Sequence, residues 1–301
     1  MDIIGKKNWF FLLSGLVIIP GLISLLLFGL KLSIDFTGGS RVDLGYENVK
    51  NLNQEKLVKV FKDNNVKVHS FQYPDNKTVS IRLDEIDQKK NTKILTELKS
   101  LYPQISEKAF ERVGPTIGRE TEIKALQAVL LASVAITLYI AFAFRKVSRP
   151  VASWKFGVAA VVALLHDVLV VIGIFSILGK LFGVEVDSLF ITALLTVMGF
   201  SVHDTIVVFD RIRENLRKNY DSNFDKVVNN SVMETFNRSL NTSLTVVLVL
   251  FVLLLFSGEG IRWFVVALFI GIISGTYSSI FNASPLLVAW YEWDNRRKNK
   301  R

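Results

Sequence analysis

Two aspartates stand inside apolar stretches of the chain, and their chemistry most needs an explanation. Asp167 lies within residues 152–178, and Asp204 follows His203 within residues 188–209. If these stretches cross a membrane, each carboxylate occupies a region where hydrocarbon penalises a charge by roughly 2.5 kcal/mol or more. Such an aspartate is a candidate for ion or proton transfer, and the alternative is a structural polar contact between helices.

For Asp204 we favour a functional role over a structural contact. Asp204 precedes Asp210 by six residues, which places it about 9 Å inside the charged edge at 1.5 Å per helical residue. Asp167 follows another histidine, His166, and lies about 22 Å into its stretch by the same rise. Both are too deep for a short carboxylate to reach water at the interface. For Asp167 the functional and the structural interpretation stay equally open.

Arg238 is the candidate counter-ion of Asp204. It stands where the fifth apolar stretch begins, and polar residues including Asn241 and Thr242 follow it. An arginine at a helix entrance can extend towards lipid headgroups. Alternatively its side chain reaches Asp204 while Asn241 and Thr242 hold water beside the pair. A buried carboxylate with Arg238 and a cationic His203 nearby can exchange protons, as relays in membrane transporters do.

Composition narrows the class of protein. Half of the 301 residues are hydrophobic, and the mean hydropathy is +0.37, which indicates a polytopic membrane protein. The absence of cysteine excludes disulfides and thiol chemistry, and three histidines leave little room for a zinc site. We therefore predict neither a metal nor a cofactor. The net charge of +9 would fit nucleic-acid binding in a soluble protein, but the positions of the basic residues favour another explanation.

The apolar stretches predict six membrane-spanning helices. The first has two lysines before it and is too long for the apolar core of a cleaved signal peptide, so we predict an uncleaved helix. The six predicted spans are 9–30, 124–144, 152–178, 188–209, 238–257 and 263–290. In the last span, small residues recur at every fourth position, which is typical of a close-packing helix face. They are Ala267, Gly271, Gly275, Ser279 and Ala283.

The basic residues alternate between the two sides of the predicted bundle. They are concentrated between spans two and three, between spans four and five, and in the tail, whereas the opposite short connections contain only Lys180 and Arg262. The positive-inside rule then predicts that both termini are cytoplasmic. The basic residues concerned are Arg145, Lys146, Arg149, Lys155, Arg211, Arg213, Arg217, Lys218, Lys226, Arg296, Arg297, Lys298, Lys300 and Arg301.

Residues 31–121 are polar and form a predicted extracytoplasmic α+β domain between helices one and two. Alternation over 41–46, helical spacing over 53–64, a hairpin around 74–77, a second helical pattern over 87–101 and a last strand over 108–113 give the order βαββαβ. This order is that of a ferredoxin-like unit. The predicted division is residues 1–30 with the first helix, 31–121 as this domain, 122–291 as a five-helix bundle and 292–301 as a basic tail.

Five motifs in this order resemble the SecF family, which supplies the smaller half of the bacterial SecD–SecF protein-export complex and is related to resistance-nodulation-division (RND) transporters. The resemblance covers nearly the whole chain. Its most specific motif is Gly199–Asn215, which reads GFSVHDTIVVFDRIREN. The others are Ile34–Gly39 (IDFTGG), Val113–Gly118 (VGPTIG), Arg238–Ser243 (RSLNTS) and Gly275–Ser279 (GTYSS).

The resemblance implies a non-enzymatic protein of the cytoplasmic membrane that uses the proton-motive force in late-stage export of preproteins. By the motif match, Asp204 and Arg238 correspond to the family's proton-pathway residues. With Asp167, His203, Asn241 and Thr242 they form the candidate proton pathway. The implied partners are a SecD-like subunit, the SecYEG channel with its SecA motor, unfolded preprotein and the lipid bilayer, with YajC and YidC as further candidates and no nucleic acid.

One departure from the family pattern concerns His203, where members commonly carry asparagine. The histidine either replaces the amide as a neutral group or adds a second titrating group. Some relatives run on sodium, so the coupling ion stays open between proton and sodium.

Two other functions compete with export. A self-sufficient RND-type small-molecule or ion transporter would need about twice as many spans as this chain has. An intramembrane aspartyl protease using Asp167 and Asp204 would carry a Gly-x-Gly-Asp motif, which is missing from the sequence.

Overall fold

The computed structural model describes residues 2–47, 52–73, 75–145, 151–218 and 223–298. Pro74, Lys146, Arg149, Lys300 and Arg301, which entered the sequence predictions, lie outside these ranges. The chain forms two compact units. The α+β unit consists of Lys31–Gln127 and Glu185–Ser188, and the helical unit consists of Met1–Leu30, Ala128–Val184 and Leu189–Arg301.

The α+β unit has its elements in the predicted order. After the first long helix, α1 (Lys7–Phe28), the chain enters this unit through a single helical turn, α2 (Ile34–Thr37). A four-stranded, ferredoxin-like sheet follows, with strand order β2-β3-β1-β4 and every neighbouring pair antiparallel. Its elements are β1 (Gly39–Gly45), α3 (Gln54–Asp63), β2 (Val68–Gln72), β3 (Thr78–Leu83), α4 (Gln88–Leu101) and β4 (Ser106–Val113).

Capping residues and apolar spacing in the sequence explain why α3 and α4 form where they do. The side chains of Asn53 and Asp87 accept hydrogen bonds from backbone N–H groups three residues further on, at 3.2 and 2.8 Å, and so cap α3 and α4. Both helices bury one apolar face in a shared core with the central strands. That core includes Val42, Leu44, Leu57, Phe61, Val79, Ile81, Leu83, Ile94 and Leu98.

The described residues contain six helices that are long and apolar enough to cross a membrane. After α1 they are α5 (Pro115–Ala143), α6 (Ser153–Phe182), α7 (Ser188–Lys218), α8 (Phe224–Phe256) and a last, composite helix. The composite helix consists of α9 (Glu259–Ser278), a π-helical turn (Ser279–Ala283) and α10 (Ser284–Lys298).

The observed helices extend beyond several predicted spans, most clearly at the polar ends of the fourth and fifth spans. We expected the fourth span to end at residue 209 and the fifth to begin at 238, whereas α7 continues to Lys218 and α8 begins at Phe224. Side chains one turn apart support the polar extension of α7, since Lys218 Nζ donates to Glu214 Oε1 at 2.7 Å. The apolar pattern marks only the part of a helix that suits lipid, and the helix itself continues beyond it.

Glycine allows close packing of the helices around α6 and α7. A Cβ at Gly21 of α1 would lie 2.8 Å from the Cα of Gly173 in α6, so the two backbones cross nearly in contact. On α9, a Cβ at Gly271 would lie 2.2 Å from a methyl group of Val197 in α7. The predicted close-packing face of the last span is therefore confirmed, and it contacts α7.

Candidate functional site

Asp167 lies at the centre of a group of hydroxyls from three helices. Its Oδ2 accepts hydrogen bonds from Ser201 Oγ of α7 at 2.5 Å and Ser278 Oγ of α9 at 2.6 Å. Its Oδ1 accepts a bond from Ser274 Oγ of α9 at 2.7 Å. The residue is 0% exposed. Three short bonds to one buried carboxylate hold α6, α7 and α9 together at this point.

A histidine and a glycine complete the surroundings of Asp167. His166 Nδ1 lies 3.0 Å from Asp167 Oδ1, and its ring stacks on Tyr277 with the centroids 6.2 Å apart. A Cβ at Gly275 would lie 3.0 Å from the Cβ of Ser201 and 3.6 Å from Asp167 Oδ2. The glycine therefore lets α9 approach α7 closely enough for the serines to reach the carboxylate.

Asp204, which lies on α7, has fewer hydrogen-bond partners than Asp167. It is 7% exposed, and its Oδ1 accepts one hydrogen bond, from Ser239 Oγ of α8 at 2.5 Å. Its Oδ2 is buried and has no hydrogen-bond partner among the described residues. A buried acceptor without a partner costs about 1–3 kcal/mol, and such groups often mark functional sites.

The structure does not pair Arg238 with Asp204. Both residues are described, and no ion pair within 4.0 Å joins them, although the positive charge of Arg238 acts on Asp204 at longer range. Consecutive residues of a helix point about 100° apart, so Ser239 faces Asp204 while Arg238 lies on the exposed side of α8. Of the two positions that the sequence left open for Arg238, the structure shows the exposed one, and the neighbouring serine bonds Asp204.

The remaining predicted site residues also lie on exposed sides. His203, Asn241 and Thr242 are exposed on α7 and α8, whereas Ser239 and Ser243, four residues apart, face inwards. In the interpretation that pairs Arg238 with Asp204, Asn241 and Thr242 stand beside the pair, whereas the helical period places Ser239 and Ser243 on the inward face. Thr276 Oγ1 donates to Ser243 Oγ at 2.6 Å, which extends the internal polar contacts to α9.

Sequence reasoning did not assign the contacting serines to the site, although one signal was available in α8. The contacting serines are Ser201, Ser239, Ser274 and Ser278. Hydroxyl residues recur at every fourth position of α8, and all four are buried. They are Ser231, Thr235, Ser239 and Ser243. Hydroxyls at that spacing share one helix face, and a polar face on a membrane helix favours contact with protein.

Among the described residues, no hydrogen bond and no shared donor joins the two aspartates. Their hydrogen-bond partners are separate, with Ser201, Ser274 and Ser278 on Asp167 and Ser239 on Asp204. An aspartyl protease needs two carboxylates close enough to share one proton. The described ranges also contain no cluster of three or more His, Asp or Glu that could hold a metal ion.

Comparison with known proteins shows which family the chain is similar to. The family model "Protein export membrane protein SecD/SecF, C-terminal" matches residues 93–293, and the "SecD/SecF GG Motif" matches residues 23–48. The protein translocase subunit SecF of Thermobaculum terrenum is 50% identical, with 98% of this chain and 95% of that protein covered. The SecF of Anaerolinea thermophila is 42% identical, with 98% and 96% covered.

A solved structure agrees with these matches. The crystal structure of SecDF from Thermus thermophilus, described as a translocon-associated membrane protein, superposes with a TM-score of 0.83 at 33% identity. The match covers 96% of this chain and 38% of that chain, so the chain spans well under half the length of SecDF. The full-length similarity to SecF proteins and the SecD/SecF motifs lead to one conclusion: the chain belongs to the SecF family of protein translocase subunits, multi-pass proteins of the inner membrane.

Proposed function

We propose that this accessory subunit of the Sec translocase couples proton flow through its helical unit to late-stage export of preproteins. The observation that carries the proposal is the state of Asp204. It is a buried carboxylate in a membrane helix with one donor and one oxygen that has no described partner. Such a group can bind and release a proton without first breaking a saturated set of hydrogen bonds.

The other candidate residues take supporting roles around Asp204. Ser239 donates to the carboxylate and fixes its orientation. Arg238 supplies positive charge at longer range, and His203 stands next to Asp204 on α7. Asn241 and Thr242 lie on the exposed side of α8, where they can hold water on the way to the site.

The exposed polar groups support a membrane-embedded partner. His203, Arg238, Asn241 and Thr242 are exposed in the isolated chain although they belong to spanning helices. Polar groups at membrane depth normally face protein or a water-filled cavity. Because this chain matches only 38% of the SecDF chain, a SecD-like subunit is the natural source of that covering surface. The SecYEG channel, YajC, YidC and unfolded preprotein complete the proposed set of partners.

The charge distribution supports the orientation. With both termini in the cytoplasm, the basic connections lie inside and the α+β unit lies outside, where it can meet an emerging preprotein. In this orientation, the proposed division is residues 1–30 with the first helix, 31–121 outside, 122–291 in the membrane and 292–301 as a cytoplasmic tail.

The decisive experiment replaces the carboxyl proton carrier with an amide. In vesicles containing the complete translocase, Asp204→Asn should assemble with the SecD-like subunit, yet abolish both proton flux and the gradient-dependent part of export. Asp210→Asn is the matched control, because Asp210 lies on the same helix but pairs with Arg213 at 2.6 Å on an exposed side. It should keep both activities.

Two outcomes would contradict the proposal. Retained gradient-dependent export in Asp204→Asn would exclude Asp204 as the carrier. Solute transport by the purified chain alone, without a SecD-like subunit, would favour the RND-type transporter instead. Replacing the proton gradient with a sodium gradient distinguishes the coupling ion.

A further inference from the structure

Two tryptophans and a lysine meet where α6 begins and α10 ends. The ring of Trp154, at the start of α6, packs edge-to-face on Trp290 of α10, with the centroids 4.9 Å apart. Lys155 Nζ lies 5.2 Å from the Trp290 centroid and 5.8 Å from that of Trp154. Lys155 is 6% exposed and pairs with Asp294 of α10. A cation that contacts two aromatic rings and a carboxylate thus joins the two helix ends.

Trp293 and Arg297 continue this cluster along α10. They follow Trp290 by three and seven residues, which puts all three side chains on one helix face. Arg297 Cζ lies 4.4 Å from the centroid of the Trp293 ring. Trp154 and Trp293 are 55% and 52% exposed, so the surface presents apolar rings beside a cation. We call this surface the aromatic–basic patch, and its members are Trp154, Lys155, Trp290, Trp293 and Arg297.

An ion pair to α1 shows the depth of the patch. Lys7 pairs with Glu292, and the apolar run of α1 begins two residues after Lys7, at Trp9. Glu292 therefore lies about 3 Å outside the start of that run, at 1.5 Å per residue. Trp290 and Trp293 flank this level, which is the depth at which indole rings concentrate in membrane proteins.

The charge around the patch is positive and is not balanced by acids. Residues 145–155 and 290–301 together contain nine Lys and Arg and two acids. Both acids are already engaged, Glu292 by Lys7 and Asp294 by Lys155. Within the described part of the chain, Arg297 has no acidic group within 4.0 Å and no hydrogen-bond acceptor. Its N–H donors are therefore available for a phosphate, which a guanidinium binds with two parallel bonds.

We propose that the aromatic–basic patch binds the headgroup of an anionic phospholipid. The rings of Trp154 and Trp293 lie among the glycerol and upper acyl groups. Arg297, one helical turn further from the apolar layer than Trp293, binds the phosphate. Basic sites between membrane helices bind such headgroups, and each cation near the surface strengthens the binding by about fivefold. This site goes beyond the proposed proton coupling and does not depend on it.

The exposed rings favour lipid over an acidic protein segment as the occupant. Arg297 alone would suit either, because phosphate and carboxylate bind a guanidinium in the same forked geometry. Trp154 and Trp293 expose about half of their surface at the depth where hydrocarbon gives way to headgroups. An indole ring suits that zone, since its apolar body faces the acyl chains while its N–H reaches the headgroups.

Photoreactive lipids test the site in the complete complex. The chain and its SecD-like subunit are placed in parallel bilayers of phosphatidylcholine that contain the same small share of photoreactive phosphatidylglycerol or photoreactive phosphatidylcholine. Salt at about 0.5 M screens diffuse attraction beyond roughly 4 Å. Peptides around Trp154 and Trp293 should then carry about five times more label from phosphatidylglycerol. Peptides around Leu16, an exposed apolar residue of α1, should take up both lipids equally.

Two neighbouring arginines distinguish a site from diffuse charge. Arg297→Ala should abolish the preference for phosphatidylglycerol, because it removes the phosphate ligand. Arg296→Ala is the matched control, since it removes the same charge from an exposed residue about 100° around the helix. It should reduce the preference by less than twofold.

Asp294→Asn should have the opposite effect. It removes the negative charge that neutralises Lys155, so the preference for phosphatidylglycerol should rise by about fivefold, the contribution of one cation. A misfolded variant would lose selective labelling, so a gain cannot come from damage to the fold.

Four results would overturn the proposal. They are equal labelling of the patch by both lipids, equal losses in Arg297→Ala and Arg296→Ala, a lower preference in Asp294→Asn, and no label on the patch from either lipid. The last result would assign the surface to an acidic protein partner. None of them bears on Asp204, because the experiment measures neither proton flux nor export.

Discussion

Asp167 and Asp204 are both buried aspartates in membrane helices, but their hydrogen bonding differs. Asp167 accepts bonds from three serines, and His166 lies within 3.0 Å of it. Asp204 accepts one bond, from Ser239, and has an oxygen without a described partner. If every acceptor site of a buried carboxylate is occupied, the carboxylate can take up a proton only after hydrogen bonds between helices break. A carboxylate with one unbonded oxygen can take up a proton at that oxygen without breaking such a bond.

This difference suggests separate roles for two residues that look alike in the sequence. The geometry of Asp167 supports a structural role in holding α6, α7 and α9 together, and its place in a proton pathway stays a prediction. The geometry of Asp204 supports proton exchange. Hydrogen bonds to a charged group are worth about 1.5–3 kcal/mol each. A buried carboxylate with several donors is therefore held in one position more strongly than a carboxylate with one donor.

The largest expected effect is the loss of the Asp167 carboxylate. Asp167→Ala leaves three buried hydroxyls without their acceptor and should lower the free energy of unfolding by about 3 kcal/mol. Asp204→Asn should lower it by less than about 1 kcal/mol, because only one donor loses a charged acceptor. Denaturant unfolding of the purified chain in detergent measures both. Equal losses would show that the two environments do not differ in stability.

Local pattern predicted much of the α+β unit. The helices expected at 53–64 and 87–101 are observed as Gln54–Asp63 and Gln88–Leu101. Amphipathic spacing and capping residues are properties of neighbouring positions, so a sequence carries them directly. The same holds for the apolar stretches that indicate six spans.

Contacts between distant segments could not be predicted in the same way. Ser274 and Ser278 reach Asp167 from more than a hundred positions away, and no local pattern specifies which helix a serine faces. The π-helical turn at Ser279–Ala283 also depends on packing, since Ser279 Oγ and Thr205 Oγ1 of α7 lie 2.9 Å apart. For Arg238, the sequence left open whether the side chain reaches Asp204 or the lipid headgroups, because a charge pattern does not specify the rotation of α8.

A smaller effect is expected from the glycine that allows the Asp167 contacts. Gly275→Ala places a Cβ 3.0 Å from the Cβ of Ser201, and it should cost about 1.5 kcal/mol through overpacking. Gly199→Ala on α7 is the matched control, because a Cβ there meets nothing within 4 Å. It should cost nothing, since alanine favours the helix by roughly 1 kcal/mol. A loss at Gly199 equal to that at Gly275 would contradict the close approach of α9 and α7.

Removing single hydroxyls separates the two sites further. Ser201→Ala, Ser274→Ala and Ser278→Ala should each cost about 1 kcal/mol of unfolding free energy and leave proton flux nearly unchanged. Ser239→Ala should have the opposite profile, with little change in stability and a clear loss of flux. Thermal unfolding and vesicle flux on the same four variants test this contrast. Loss of proton flux in the Ser201→Ala, Ser274→Ala or Ser278→Ala variant would show that the contacts of Asp167 belong to the proton pathway.

The smallest effect concerns a third carboxylate, Glu185, which lies between α6 and α7, outside the spanning helices. Burial raises its pKa above the ordinary value of 4.5, and the positive charges of Arg82, Lys31 and Arg41 only partly oppose this. A carboxyl group with a raised pKa in the folded state contributes stability that is complete below pH 4.5 and is lost as the pH rises through the folded value.

Glu185→Gln therefore gains stability relative to the unmodified chain as the pH rises above about 4.5, by roughly 1 kcal/mol for each unit of pKa shift removed. Unfolding free energies of the two chains at pH 4 and pH 7 measure the difference, and a constant difference would contradict the raised pKa. Glu185 thus extends the comparison of Asp167 and Asp204 to a third case, in which a buried carboxylate lowers the stability of the folded chain at neutral pH because burial opposes its charge more than Arg82 and Lys31 favour it.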